Sequence, residues 1–244
     1  MLHSIREMLV QMRTEDTEKI YGRLEAELSS IREEDWANNW KQYFKPIKVG
    51  EKLVIKPSWE DYVNKDNRII LEIDPASSFG TGQHHTTRLC LELLEKSLCK
   101  GDKILDLGCG SGILSIGAML LGAESAVAVD IEENSAATAL ENAIKNNIPS
   151  DKYLTYCGNI LSDNKLVEKI DTKYDIISAN IVADVLISMS SYFDRFLKPD
   201  GILIISGIIE ERMGEVVEAV EKAGFKAVEN NIKEGWAAVK LIHC

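Results

Sequence analysis

Residues 104–112 read Ile-Leu-Asp-Leu-Gly-Cys-Gly-Ser-Gly, and this stretch limits the architecture of the chain more tightly than any other. Three apolar residues around Asp106 make a short buried strand. Gly108, Gly110 and Gly112 then make a turn whose backbone no side chain screens from a ligand. A helix has to follow at once, because Ile113, Leu114, Ile116, Ala118, Met119, Leu120 and Leu121 continue apolar until Gly122 stops them. The unpaired N–H groups of its first turn therefore face the glycines. Strand, glycine turn and helix in that order build a nucleotide-sized pocket.

The spacing of the glycines discriminates between nucleotides. A dinucleotide fingerprint places a third glycine or alanine three residues after the second, where helix and strand pack closely. Here that position is Ile113. The alternation G-x-G-x-G instead resembles motif I of the class I S-adenosylmethionine-dependent methyltransferases. The next apolar run, Ser125 to Val129, ends in Asp130, 22 residues after Gly108. A carboxylate there can accept both hydroxyls of a ribose. The same position also suits an N-cap for the helix that follows.

The 244 residues allow one large α/β domain, or one domain with a small appendage. With 28 basic against 39 acidic residues, the net charge of −11 disfavours a nucleic-acid backbone as the main partner. Five cysteines (Cys90, Cys99, Cys109, Cys157 and Cys244) are odd in number and scattered, which argues against a disulfide framework or a zinc site and for a reducing compartment. The N-terminus lacks the apolar core of a signal peptide, and no apolar run is long enough to span a bilayer. A cytoplasmic protein without metal or membrane attachment is expected.

Apolar spacing predicts a helix over 2–13, with Leu2, Ile5, Leu9 and Met12 on one side. Leu24, Ala26 and Leu28 alternate, favouring a strand over 23–31, and an aromatic-bearing helix around Trp36 and Trp40 stops at Pro46. Strands are expected at 49–56 and 69–73. Residues 74–87, with two glycines, a proline and many hydroxyls, read as a site-lining loop, and a helix follows over about 86–97. Beyond Asp130 the patterns alternate: helix 133–147, strand 153–156, strand 174–179, helix 182–197, strand 202–206, helix 210–223. Strands 225–228 and 237–242 come last with no helix between them, which implies an antiparallel edge hairpin through Lys233-Glu234-Gly235-Trp236. The expected fold is α/β: a doubly wound, mostly parallel, seven-stranded Rossmann-like sheet with an antiparallel edge hairpin, plus a small incomplete α+β segment at the N-terminus.

Several separated blocks together narrow the resemblance. Asp74-Pro75, Phe79-Gly80-Thr81-Gly82, His84, Thr86-Thr87, the glycine motif, Val129-Asp130, Ala179-Asn180-Ile181 and Ser206-Gly207-Ile208 resemble the bacterial ribosomal protein L-eleven methyltransferases. So do Glu34-Asp35-Trp36, Trp40, Phe44-Lys45-Pro46 and Pro57-Ser58-Trp59, and the likeness runs from about residue 30 to the end. The chain departs from that family at Ala76-Ser77-Ser78, Gln83 and His85. It also has only about 33 residues where the family carries a complete substrate-docking α/β domain ahead of the Trp36 region. Residues 1–45 thus read as a remnant of that domain, 46–73 as a linker with short strands, and 74–244 as the catalytic domain.

The resemblance implies S-adenosylmethionine as cofactor and amines of ribosomal protein L-eleven, a lysine or the N-terminus, as methyl acceptors, with no direct contact to nucleic acid or membrane. It implies cofactor contacts from Phe79, Gly80, Thr81, Thr87, Asp106, Gly108, Gly110, Gly112, Asp130, Ile131 and Asn180. Asn180, with the carbonyl of Ile181, would orient the amine, since methyl transfer mainly requires presenting a lone pair in line. Alternative readings stand beside these: Thr87 as a first-turn cap and Asn180 as a cap for the helix after it. His84 or His85 as a base stays open, although an incoming lysine can lose its proton to water. The four tryptophans are read as packing residues. The rival functions are the same chemistry on another protein or a small amine, a nicotinamide oxidoreductase, and a cofactor-binding module without turnover.

Overall fold

The computed structural model describes residues 2–16, 20–21, 24, 44–74 and 82–244. The chain divides into two units, residues 1–43 and 44–244. In the first, α1 (Leu2–Glu15) matches the helix expected over 2–13, with Ile5, Met8, Val10 and Met12 exposed. Residues 25–43, which hold most of the strand expected over 23–31 and the helix around Trp36 and Trp40, lie outside the described residues.

The second unit opens with a three-stranded sheet, β1 (Ile47–Val49), β2 (Leu53–Lys56) and β3 (Ile69–Glu72), in that order. In the strand expected over 49–56, with Gly50 as its turn, that turn separates β1 from β2, and the Gly50 φ of +54° favours glycine. The Glu95 carboxylate seals that turn by accepting the Glu51 and Lys52 N–H groups at 2.9 and 3.1 Å. The short strands expected within 46–73 are thus present, and they pack. Val49, Leu53, Ile55, Leu71 and Ile73 are buried in one cluster with Leu91, Leu94, Ile113 and Ile116.

The main sheet has seven strands: β4 (Lys103–Leu107), β5 (Ser125–Asp130), β6 (Tyr153–Cys157), β7 (Tyr174–Asn180), β8 (Leu197–Ile209), β9 (Phe225–Lys233) and β10 (Trp236–His243). Their order is β6-β5-β4-β7-β8-β10-β9, parallel from β6 to β8 and antiparallel beyond. The period-2 alternation of each strand divides the core. Ile104, Ile176 and Ile204 join the cluster of α2 (His85–Ser97) and α3 (Ile113–Leu121), with Ala139 and Ala143 of α4 (Glu133–Lys145). Leu105, Ile177, Leu203 and Ile205 join that of α5 (Asn164–Lys169), α6 (Ala183–Phe196) and α7 (Met213–Lys222).

Several boundaries differ from the sequence expectation. Helix α5 was not expected, because six residues are too few for a periodic pattern. Strand β8 runs to 13 residues rather than five, since its start pairs only at Tyr174↔Leu197 and resumes at Ile176↔Ile202. A 3₁₀ turn, Glu210–Arg212, precedes α7 and shortens it. The closing hairpin is present, with its second strand, β10, inserted between β8 and β9.

Candidate active site

Strand order reverses around β4, which has β5 on one side and β7 on the other. Open α/β sheets bind ligands at such a switch, beyond the carboxyl ends of the strands. A cavity of about 520 Å³ lies there, within the usual size range of ligand sites. Its lining comes from the ends of successive strands: Gly108 and Gly110 after β4, Asp130 and Ile131 at the end of β5, Gly158 to Leu161 after β6, Asn180 and Ile181 at the end of β7, and Gly207 within β8. His84 and Thr87 of the α2 start and Trp236 of β10 close the remaining side.

The glycine turn is held from below by β5. The Gly108 and Cys109 N–H groups donate to the Val129 carbonyl at 2.8 and 3.1 Å, and Gly110 N–H donates to Asp130 Oδ2 at 2.8 Å. Asp130 Oδ1 accepts the Glu132 N–H at 3.0 Å. Each oxygen of Asp130 thus carries one bond to backbone and keeps a second lone pair, which is the capacity needed for two vicinal hydroxyls. Asp130 is not the helix cap, since the N-cap of α4 is Glu132. Ile131 beside it is 71% exposed, an apolar surface suited to one face of a planar base.

Two of the expected cofactor contacts sit behind the cavity wall. Gly112 does not line the cavity. At φ +78° it abuts α4, where an added Cβ would lie 2.6 Å from the Tyr153 hydroxyl and 2.9 Å from Ala139 Cβ. Asp106 is 1% exposed and also absent from the lining. Its Oδ1 accepts the Ser178 hydroxyl at 2.8 Å and its Oδ2 the Ser115 N–H at 3.1 Å, tying β4 to β7 and to the first turn of α3. Burial pushes its pKa up to about 6, against the pull of the Ser178 and Ser115 hydrogen bonds, with the Asp130 charge adding to the rise. The loop residues Phe79, Gly80 and Thr81 lie outside the described residues.

The folded chain holds the Asp106 proton more tightly than the unfolded chain, so its stability contribution is complete below about pH 4 and lost as pH rises through about 6. In Asp106→Asn the amide nitrogen can donate to the Ser178 hydroxyl, and that component vanishes. Unfolding midpoints measured from pH 4 to 7 should fall for the wild type, relative to the Asn variant, by a few degrees. Parallel pH curves would show that Asp106 does not titrate in that window.

At the opposite wall, Asn180 Nδ2 points to Thr87 Oγ1 at 3.5 Å, leaving Oδ1 as an acceptor at the cavity. Neither residue is a cap. The N-cap of α6 is Val182, and that of α2 is His84, whose Nδ1 accepts the Thr86 N–H at 3.4 Å and meets the Thr86 hydroxyl at 2.7 Å. Burial, then the neighbouring His85 and Arg88, lowers the His84 pKa. His85 is not part of the lining. Ile181 is wedged between two glycines. An added Cβ at Gly108 would reach 2.2 Å from Ile181 Cγ2, and one at Gly207 (φ +83°) 2.5 Å from the Ile181 carbonyl oxygen.

Sequence reasoning missed part of the lining. Trp236, read as packing, meets His84 edge-on at 4.6 Å between centroids and faces the cavity. Gly158, Asn159, Ile160 and Leu161 were also missed, although they follow β6 as Asp130 follows β5 and Asn180 ends β7. Among the described residues no group of side chains could hold a metal ion, and no helix is long and apolar enough to cross a membrane. The donor set suits S-adenosylmethionine: a carboxylate for ribose, apolar walls for the base, and glycine backbone for the remainder.

Comparison with known proteins gives the same answer. The family model described as Ribosomal protein L11 methyltransferase (PrmA) matches residues 3–243. The chain is 43% identical over 218 residues to the ribosomal protein L11 methyltransferase of Thermoanaerobacter pseudethanolicus, covering 89% of this chain and 68% of that protein. It is 41% identical over 223 residues to the one from Dictyoglomus turgidum, covering 91% and 71%. Among solved structures, the ribosomal protein L11 methylase of Lactobacillus delbrueckii subsp. bulgaricus superposes with a TM-score of 0.73 at 32% identity, over 82% of this chain and 98% of that one. The chain belongs to the ribosomal protein L11 methyltransferase family and is a class I, S-adenosylmethionine-dependent protein methyltransferase.

Proposed function

We propose that this chain methylates amino groups of ribosomal protein L11, a lysine side chain, the N-terminal amine or both. The observation that carries the chemistry is the pair of acceptors at the end of β7, the Asn180 carboxamide and the Ile181 carbonyl, beside the bare Cα of Gly207. The substrate follows from the names of the relatives.

When bound, S-adenosylmethionine supplies an electrophilic methyl carbon on a sulfonium. Asp130, with Ile131 and the Gly108–Gly110 backbone, holds the nucleoside and amino-acid ends; Thr87 orients Asn180; Asp106 and Gly112 set the shape of the turn from behind. Asn180 Oδ1 and the Ile181 carbonyl accept N–H bonds from the incoming amine, directing its lone pair along the line of displacement. The amine must arrive neutral, and loss of its proton to solvent before reaction suffices. Phe79, Gly80 and Thr81 are proposed cofactor contacts by family likeness alone. Five free cysteines suit the cytoplasm as the site of action.

The test is incubation of the full chain with purified L11 and radiolabelled S-adenosylmethionine, with mass spectrometry of the product. Methyl groups on lysine or on the N-terminus are expected. Label on another protein of a ribosomal extract, with none on L11, would assign the chain a different acceptor.

A further inference from the structure

Helix α4 and its C-cap carry two asparagines one turn apart, Asn142 and Asn146, and each exchanges a pair of hydrogen bonds with the chain at the end of β3. Asn146 Oδ1 accepts the Glu72 N–H at 2.9 Å while its Nδ2 donates to the Glu72 carbonyl at 2.7 Å. Asn142 Oδ1 accepts the Asp74 N–H at 3.0 Å while its Nδ2 donates to the Asp74 carbonyl at 3.1 Å. Four residues of helix rise about 6 Å, and two residues of strand about 6.6 Å, so the two carboxamides match alternate peptide groups of an extended chain. The register agrees with this. The Ile69 and Ile73 N–H groups point the other way and donate to the Lys52 and Lys56 carbonyls. Two side-chain amides stand in for a fourth strand and cover the free edge of the small sheet.

The two asparagines are not equivalent. Asn142 is fully buried, and its Nδ2 has a second acceptor, the carbonyl of Ser111, at 2.9 Å. Ser111 lies inside the glycine turn, directly after the cavity-lining Gly110. Asn146 spends its second donor within α4, on the Asn142 carbonyl at 2.8 Å. Asp74 is in turn fixed by its own side chain, which accepts the Ser58 N–H and hydroxyl at 2.8 and 2.7 Å and the Lys145 ammonium at 2.5 Å. One carboxamide therefore joins the glycine turn to a rigidly held point on the small sheet.

We infer that Asn142 is a positioning residue of the methyl-transfer site, holding the Ser111 carbonyl, and through it the Gly110 backbone, in register with Asp74. Asn146 makes the same kind of edge contact without reaching the turn and serves as its matched control. The inference rests on the reading that the Gly108–Gly110 backbone contacts the cofactor.

The test compares calorimetric dissociation constants for S-adenosylhomocysteine in Asn142→Ala, Asn142→Asp, Asn146→Ala and Asp130→Ala, each well below its own unfolding midpoint. Asn142→Asp keeps the acceptor for Asp74 and loses both donated bonds. The Asn142 variants should bind about tenfold more weakly, the loss expected for one well-placed hydrogen bond. Asn146→Ala should stay within about twofold, even where it lowers the midpoint as much. Unchanged affinity in the Asn142 variants, or equal loss in Asn146→Ala, would overturn the inference. Unchanged affinity in Asp130→Ala as well would instead remove the cofactor from this cavity. Should the Asn142 variants fail to fold, the wild-type chain decides. On titration with S-adenosylhomocysteine the Asn142 side-chain amide resonances should shift and those of Asn146 stay in place; an unmoved Asn142 resonance refutes the inference.

Discussion

Replacing Asn180 by alanine should lower turnover on the protein substrate by about 10²-fold or more while S-adenosylhomocysteine affinity stays within about threefold. The side chain stands at the carboxyl end of β7 with its nitrogen on Thr87 and its oxygen uncommitted, so its loss removes an acceptor for the amine and little that binds cofactor. The fold should tolerate the change. Asn180 is half-buried, and the helix that follows is capped at Val182. Single-turnover rates with saturating cofactor, set beside calorimetric affinities, separate the two effects. Affinity and rate falling together would make Asn180 a cofactor ligand first.

For Asp130→Ala the expected loss falls on binding, with cofactor affinity weakened by about 3 kcal/mol, or roughly 10²-fold. Two contributions combine. The carboxylate's free lone pairs are lost to the ribose hydroxyls, and the Gly110 N–H, which donates to Oδ2 at 2.8 Å, loses the partner that sets the glycine turn. Asp130→Asn should recover part of the second effect, since an amide oxygen can still accept from Gly110, and little of the first. Calorimetry on both variants checks this. A dissociation constant unchanged in Asp130→Ala would take the residue out of the site.

The elements that were legible in the sequence are those whose signal is local and redundant. The 104–121 block announces itself twice, by its glycines and by the apolar run behind them, and it appears as β4, the turn and α3. The placement of Asp130 and Asn180 on the cavity was legible for a similar reason: a polar residue that ends a buried apolar strand is carried to the carboxyl edge of a wound sheet. Where the local signal was thin, the reading slipped. Six residues made α5, and the irregular first pairing of β8 left no periodic trace.

Other features depend on neighbours far along the chain, and no local pattern carries them. Gly112 and Gly110 look alike in the sequence. Only the approach of Ala139 and Tyr153 to Gly112 makes one a packing contact while the other lines the cavity. Asp106 reads as a buried carboxylate that accepts backbone N–H groups or reaches the cofactor through water; that Ser178, 72 residues later, pairs with it in register and donates to one of its oxygens is visible only in the fold. Trp236 reaches the cavity because the last strand enters the sheet inside the one before it, an order that either hairpin strand could satisfy on local pattern alone.

Strand, glycine turn and helix, the alternation of strands and helices, and the polar residues at strand ends were readable in advance, because backbone propensity and apolar periodicity act over a few residues. Which polar group ties one element to another emerges only on folding, as with Asn142, which reaches the glycine turn, and Asn146, which does not, identical in type and one turn apart. That choice turns on whether a distant carbonyl, here Ser111, lies within hydrogen-bond reach, and only the folded chain brings such groups together.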